Sequence, residues 1–172
     1  MARAKLDLRA FQQELATRLV SKTVAQVESS RLGFASGGEQ WLVRLADVGE
    51  VIAVPPLASV PHTQAWFLGV ANIRGNLYSV VDLAGFLDRE ATVLAPQNRL
   101  VLFGARTGDL RAGFVVQSVL GLRNVGALAP APPRVGAPAW HGQRWVDADH
   151  GAWQEIDLTR LARDPAFLCV GA

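Results

Sequence analysis

The sequence predicts a mainly β protein, two small barrels side by side, with a helix at the N-terminus and short helices after repeated Asp-Leu junctions. Three observations lead there. Short runs rich in β-branched and aromatic residues recur from Trp41 onward. Turn residues separate those runs, among them Ser36-Gly37-Gly38, Gly75-Asn76 and Gly108-Asp109. One strand-to-helix junction occurs twice, as Val81-Asp82-Leu83 and again in the second half as Ile156-Asp157-Leu158.

In chain order, residues 6–28 read as an amphipathic helix. Leu8, Phe11, Leu15 and Leu19 recur at steps of three and four, with Arg9, Gln12, Gln13 and Arg18 between them. Such a stripe docks on its own domain or on a partner, so residues 1–30 form a helical extension and 31–172 the main domain. After the glycine turn, Trp41, Val43 and Leu45 alternate with their neighbours, and Val51, Ile52 and Val54 follow as a second short strand. Pro55-Pro56 and Pro61 break the next stretch. The passage 66–83 is the most apolar, with 77–81 a buried strand.

Asp82 begins a short helix, Leu83 to Leu87. Its carboxylate caps the free amides of the first turn, a role that needs no partner beyond the helix itself, unlike a catalytic one. Arg99 to Phe103 and Ala112 to Val119 are further strands, joined by a turn with Gly108 at positive φ. Residues 127–138 form an extended surface loop. A second short helix runs from Thr159 to Ala162, where Asp164-Pro165 stops it. An earlier pair of segments, Val43 to Val51 and Phe114 to Leu122, lines up at nearly the same spacing as the two Asp-Leu junctions. Each repeat is too small for a core of its own, so the two pack together: a first barrel over about 40–90 and a second over about 97–165.

Composition excludes several classes. Half of the 172 residues are hydrophobic and 19% are charged, which is too apolar for disorder. A net charge of +2 is too small to draw nucleic acid or membranes. Cys169 is the single cysteine, so neither an internal disulfide nor a cysteine zinc site can form. No secretory leader and no apolar run of roughly 20 residues is visible. The expectation is a cytoplasmic protein that meets membranes only through a partner.

The residues around the middle point to a family. Gly69-Val70-Ala71-Asn72-Ile73-Arg74-Gly75, followed by Val80-Val81-Asp82-Leu83, resembles the hallmark segment of CheW-like domains. Val48-Gly49-Glu50-Val51-Ile52 is similar to the family's V-x-E-V-I, and Pro55-Pro56 and Val60-Pro61 sit at its proline-marked connection. The likeness covers residues 40 to about 165. Trp66-Phe67 and the closing Trp153 to Leu158 look most like the branch serving type IV pilus control and twitching motility. The resemblance implies two pseudo-symmetric five-stranded barrels and a non-enzymatic adaptor. Its partners would be a CheA-type histidine kinase and a methyl-accepting chemoreceptor, at membrane receptor arrays, with no cofactor. A flagellar chemotaxis adaptor is the alternative within the family.

Five residues are candidates for receptor and kinase coupling. Arg74 matches the family's arginine, and its guanidinium can bind a partner's carboxylate or organise its own loop. Asn72 and Gly75 serve the turn that presents it. Val48 matches a position flanking the receptor groove, although an apolar strand residue more often faces a core. Glu50 is the better exposed candidate beside it. Two positions depart from the family pattern. Ser79 replaces a proline and restores an amide donor, and Gln117 replaces an aspartate, so kinase binding is assigned to the second barrel only as a region, with no residue named.

Two rival readings have weaker footing. His62, His141 and His150 lack metal-ligand spacing, Asp147, Asp149 and His150 read as a hairpin turn, and no nucleophile elbow or phosphate loop occurs. A single-strand nucleic-acid barrel needs a basic groove, whereas the arginines are scattered.

Overall fold

A computed structural model describes residues 28–149 and 151–172. All of the helix expected over 6–28 except its last residue, and nearly all of the extension 1–30, lie outside them. The described chain runs β1 (Ser30–Ser36), β2 (Glu39–Arg44), β3 (Val48–Ala53), β4 (Phe67–Ile73), β5 (Asn76–Asp82), α1 (Leu83–Phe86), β6 (Arg99–Phe103), β7 (Ala112–Val116), β8 (Ser118–Asn124), β9 (Ala129–Ala131), β10 (His141–Asp147), β11 (Gly151–Ile156), α2 (Leu158–Leu161) and α3 (Pro165–Leu168). The protein is mainly β, as predicted.

The strands form a six-stranded sheet, β8-β1-β2-β11-β10-β9, and a five-stranded sheet, β3-β6-β7-β5-β4. Neither is contiguous in sequence. Each takes a hairpin from one repeat (β1-β2 or β6-β7) and the remaining strands from the other. The expected division into a barrel over about 40–90 and another over about 97–165 is corrected accordingly. Periodicity reveals that a unit repeats, but not which distant strand it pairs with.

The exchange is made through two equivalent parallel pairings. Val81 lies opposite Phe114 where β5 meets β7, and Ile156 lies opposite Val43 where β11 meets β2. The spacing of the repeat carries Val43 to Phe114 and Val81 to Ile156, so it maps one pair onto the other. The sequence repeat is the pseudo-symmetry of the fold.

Alternation along the strands sorts the side chains into distinct cores. Val81, Val101, Phe103, Phe114 and Val116 face the other sheet and join Phe34, Trp41, Val43 and Ile156 in the main core. Their neighbours Val80, Leu100, Leu102 and Val115 turn inward and fill the five-stranded barrel with Ala71. Both faces of β6 and β7 are therefore buried, which is why they read as continuous apolar runs. The six-stranded half is filled differently. Arg31 Nε donates to Glu155 Oε1 at 2.7 Å in its buried interior, and Trp145 Nε1 donates to Glu155 Oε2 at 3.3 Å.

The five-stranded barrel closes at a seam. Beyond β3, Ala58 exchanges two backbone hydrogen bonds with Val70 of β4, of 2.8 and 2.9 Å. Gly69 permits this approach: its φ is +126°, and a Cβ there would overlap the Ala58 carbonyl.

The helix caps follow the sequence reading. Asp82 accepts from the Ala84 amide at 3.2 Å, and its other oxygen accepts from the Thr92 amide at 2.7 Å. Asp157 accepts from the Arg160 amide. Asp164 does more than end α2. It caps α3, which starts at Pro165 and turns Phe167 into the main core. Ser79 donates its amide to the Arg111 carbonyl at 2.9 Å, the bond a proline could not make.

Three readings need revision. Ser30–Ser36 is a strand, although the sequence pattern begins only at Trp41. The run 112–119 is two strands broken at Gln117, where the chain leaves the five-stranded sheet for the six-stranded one. The loop 127–138 contains the short edge strand β9. Among the described residues, no helix is long and apolar enough to cross a membrane.

Candidate functional site

β4 and β5 are joined by a two-residue turn in which both central residues are left-handed, Arg74 at φ 52° and Gly75 at φ 81°. Such turns match the twist of paired strands, which explains why the hairpin accepts a left-handed arginine. The conformation costs a residue with a Cβ about 1–3 kcal/mol. Register holds it in place: Ile73 pairs with Asn76, and Asn72 Oδ1 accepts from the Gly75 amide at 2.9 Å.

Arg74 is also held from outside the hairpin. Its Nη2 lies 2.6 Å from Glu50 Oε1 on β3. Because β3 and β4 are the two edges of the sheet, this ion pair crosses the barrel opening on the same seam that Ala58 and Val70 close. The side chain of Arg74 is 77% exposed and that of Glu50 35% exposed, so solvent screens the pair and its contribution to stability is small. What the pair fixes is direction. The guanidinium is displayed at the tip with most of its donors free.

Four of the five candidates therefore meet in one place: Glu50 and Arg74 in contact, Asn72 and Gly75 shaping the turn. Val48 lies on the same strand as Glu50 but packs against the main core, half-buried beside Val51. Sequence reasoning missed Leu77, which is 60% exposed opposite Asn72 across the hairpin. It also missed that Glu50 belongs to Arg74. Nothing local links these two distant positions; only closure of the barrel does.

The metal reading gains no support among the described residues, which hold no group of three or more His, Cys, Asp or Glu able to bind an ion. Asp147 Oδ1 accepts from the Asp149 amide at 3.0 Å, as a hairpin turn requires.

A second polar cluster lies on the six-stranded half. Glu39 receives Arg89 Nη2 at 3.1 Å and Arg134 Nη2 at 2.7 Å. Burial pushes its carboxyl up, but the two arginines outweigh that and hold it below the ordinary value. Nearby, His141 packs edge-on to Trp140 and Trp41 at 4.4 and 5.5 Å. Burial, then the charge of Arg134, lowers its pKa against the opposing pull of Glu39.

The family profile of the CheW-like domain matches residues 31–164. The chain belongs to the CheW-like family. It is 34% identical over 112 residues to protein PilI of Pseudomonas aeruginosa, covering 65% of this chain and 62% of PilI. The match to FrzA of Myxococcus xanthus is 33% over 115 residues, or 67% of this chain and 71% of FrzA. The chain thus aligns with less than two thirds of the length of PilI. The crystal structure of the scaffolding protein TtCheW from Thermoanaerobacter tengcongensis superposes with a TM-score of 0.64 at 20% identity. That likeness covers 75% of this chain and 88% of the other and establishes a shared fold. The Asn72–Gly75 hairpin lies within the matched residues.

Proposed function

We propose that this chain is a non-enzymatic coupling protein that holds a CheA-type histidine kinase against a methyl-accepting chemoreceptor, in a pathway controlling type IV pilus twitching motility. The observation that carries the reading is the Arg74–Glu50 pair. An exposed guanidinium on a closed barrel, held in a left-handed turn, suits recognition of a partner's carboxylate and activates no nucleophile or water. The exposed Leu77 on the same hairpin offers a partner an apolar contact. The similarity to PilI supports the pilus branch. Such a coupler would act on the cytoplasmic side, at receptor arrays.

Reconstitution tests this. The purified chain is mixed with the kinase and with a receptor fragment, and kinase autophosphorylation is followed with each component omitted. Coupling requires that the receptor change kinase activity only when the chain is present. A kinase that neither binds the chain nor responds to it would refute the proposal.

A further inference from the structure

We propose that residues 132–137 form a strap at the mouth of an aromatic cavity on the six-stranded half. The Arg134–Glu39 ion pair latches it shut, and parting of that pair opens the cavity.

Composition sets this stretch apart. Pro132 and Pro133 have no amide to give, so the β9 ladder ends at Ala131 and the chain leaves the sheet. Gly136, at φ +73°, turns it back. Pro132, Pro133, Val135 and Gly136 are exposed, and residues 132–137 belong to neither hydrophobic cluster. Both ends are fixed. The Ala131 carbonyl accepts from Gln143 Nε2 at 2.9 Å, and the Pro138 carbonyl accepts from the His141 amide at 3.0 Å. Between them the Ala137 amide bonds back to the Arg134 carbonyl, within the strap itself. Among the described residues, its one hydrogen bond to the rest of the molecule runs from Arg134 Nη2 to Glu39 Oε2, at 2.7 Å. A segment that buries no core and hangs on one ion pair opens without unfolding the domain.

The latch stands between two cavities. One, of about 380 Å³, is lined by Trp41, Phe86, Trp140 and His141; the other, of about 320 Å³, by Gln40, Arg144 and Trp153. Glu39 and Arg134 line both, so a swing of Arg134 joins the two. Glu39 is the fixed member. Its other oxygen takes Arg89 Nη2 at 3.1 Å, and the Arg89 stem packs over Gly37, where a Cβ would meet it at 2.8 Å. The strap is the member that moves. With the latch closed, Gln40 Oε1, Arg144 Nε and both ring nitrogens of His141 are buried without partners. Buried polar groups seldom stay so. Opening admits water, which donates and accepts alike, and this offsets part of the lost ion pair. The side chains of Arg134 and Glu39 are 36% and 24% exposed, so salt reaches the pair and weakens it.

The test uses the full ¹⁵N-labelled chain and a neutral gadolinium chelate, whose relaxation effect on the Trp140 indole reads how open the cavity is to solvent. Raising NaCl from about 0.1 to about 1 M should increase that effect by about two- to fivefold, while the amides of β6 and β7 stay protected. Arg134→Met, which keeps the stem and removes the charge, should raise it at low salt and abolish the salt response. Arg89→Met removes the other partner of Glu39 and should leave the strap latched. If Arg134→Met does not fold, the salt series on the unmodified chain decides by itself. Unchanged access to Trp140 at high salt would overturn the proposal. A salt response that persists in Arg134→Met would do the same. So would an equal opening in Arg89→Met, which would make the cluster a general support and not a latch.

Discussion

Arg74 sits at the tip of the β4–β5 hairpin and Glu50 on the far edge strand β3, yet their side chains meet at 2.6 Å across the opening of the five-stranded barrel. The contact ties the hairpin to the opposite edge of its sheet. It therefore couples the orientation of Arg74 to closure of the barrel.

Because this pair is exposed, its removal should cost little stability. Arg74→Ala and Glu50→Ala should each shift the urea midpoint by no more than about 1 kcal/mol equivalent. The double variant should show a coupling of a few tenths of a kcal/mol. A loss of about 3 kcal/mol or more in either single variant would mean that the pair is structural.

Phe114 is the strongest test of the exchanged topology. It is fully buried, contacts Phe34 and Phe103 with ring centroids 5.4 and 5.9 Å away, and sits opposite Val81. Phe114→Ala should destabilise the whole chain by about 3–5 kcal/mol. Both halves should unfold in one transition, because the residue belongs to their shared core. Two separate calorimetric transitions would contradict the exchange.

Gly69→Ala should open the seam. The substitution combines a left-handed φ with overlap on the Ala58 carbonyl, at a cost of about 1–3 kcal/mol. Amide exchange should speed up at Ala58 and Val70 before the β6–β7 hairpin is affected. Unchanged protection at those two amides would show that the loop does not depend on the missing Cβ.

His141 should make the protein sensitive to mild acid. Its folded pKa lies below the ordinary 6.5, so between the two values the unfolded chain binds a proton that the folded chain does not. Stability contributed by the neutral ring is present above 6.5 and is lost as pH falls through the window below it. Glu39 works in the same sense at lower pH, since its folded pKa is also depressed. His141→Gln should therefore narrow the difference in urea midpoint between about pH 7 and pH 5.5. An unchanged difference would place the acid sensitivity elsewhere.

Much of the local structure was legible because its causes are local. Asp82 and Asp157 announce their caps through the residues that follow, and Arg99–Phe103 is bounded by its own composition. The strand β1 was not legible. Arg31 and Gly33 interrupt its apolar pattern, and both make sense only in the fold: Arg31 is neutralised by the distant Glu155, and Gly33 lies under the Trp153 ring. The break at Gln117 is hidden likewise, since its amide bonds Ala35 and its carbonyl receives Asn98 Nδ2, both far away in the chain. Of the candidate site, the turn at Asn72, Arg74 and Gly75 could be read directly. Their tie to Glu50 could not, nor could the cluster where Glu39 meets Arg89 and Arg134.

The most direct test of the account is co-sedimentation of kinase, receptor fragment and chain, comparing the unmodified protein with Arg74→Ala. The account predicts that the variant keeps its circular dichroism spectrum and its fold while its share of the ternary complex falls by about tenfold. Full assembly by a folded Arg74→Ala protein would contradict it, because the displayed guanidinium would then contribute nothing to docking.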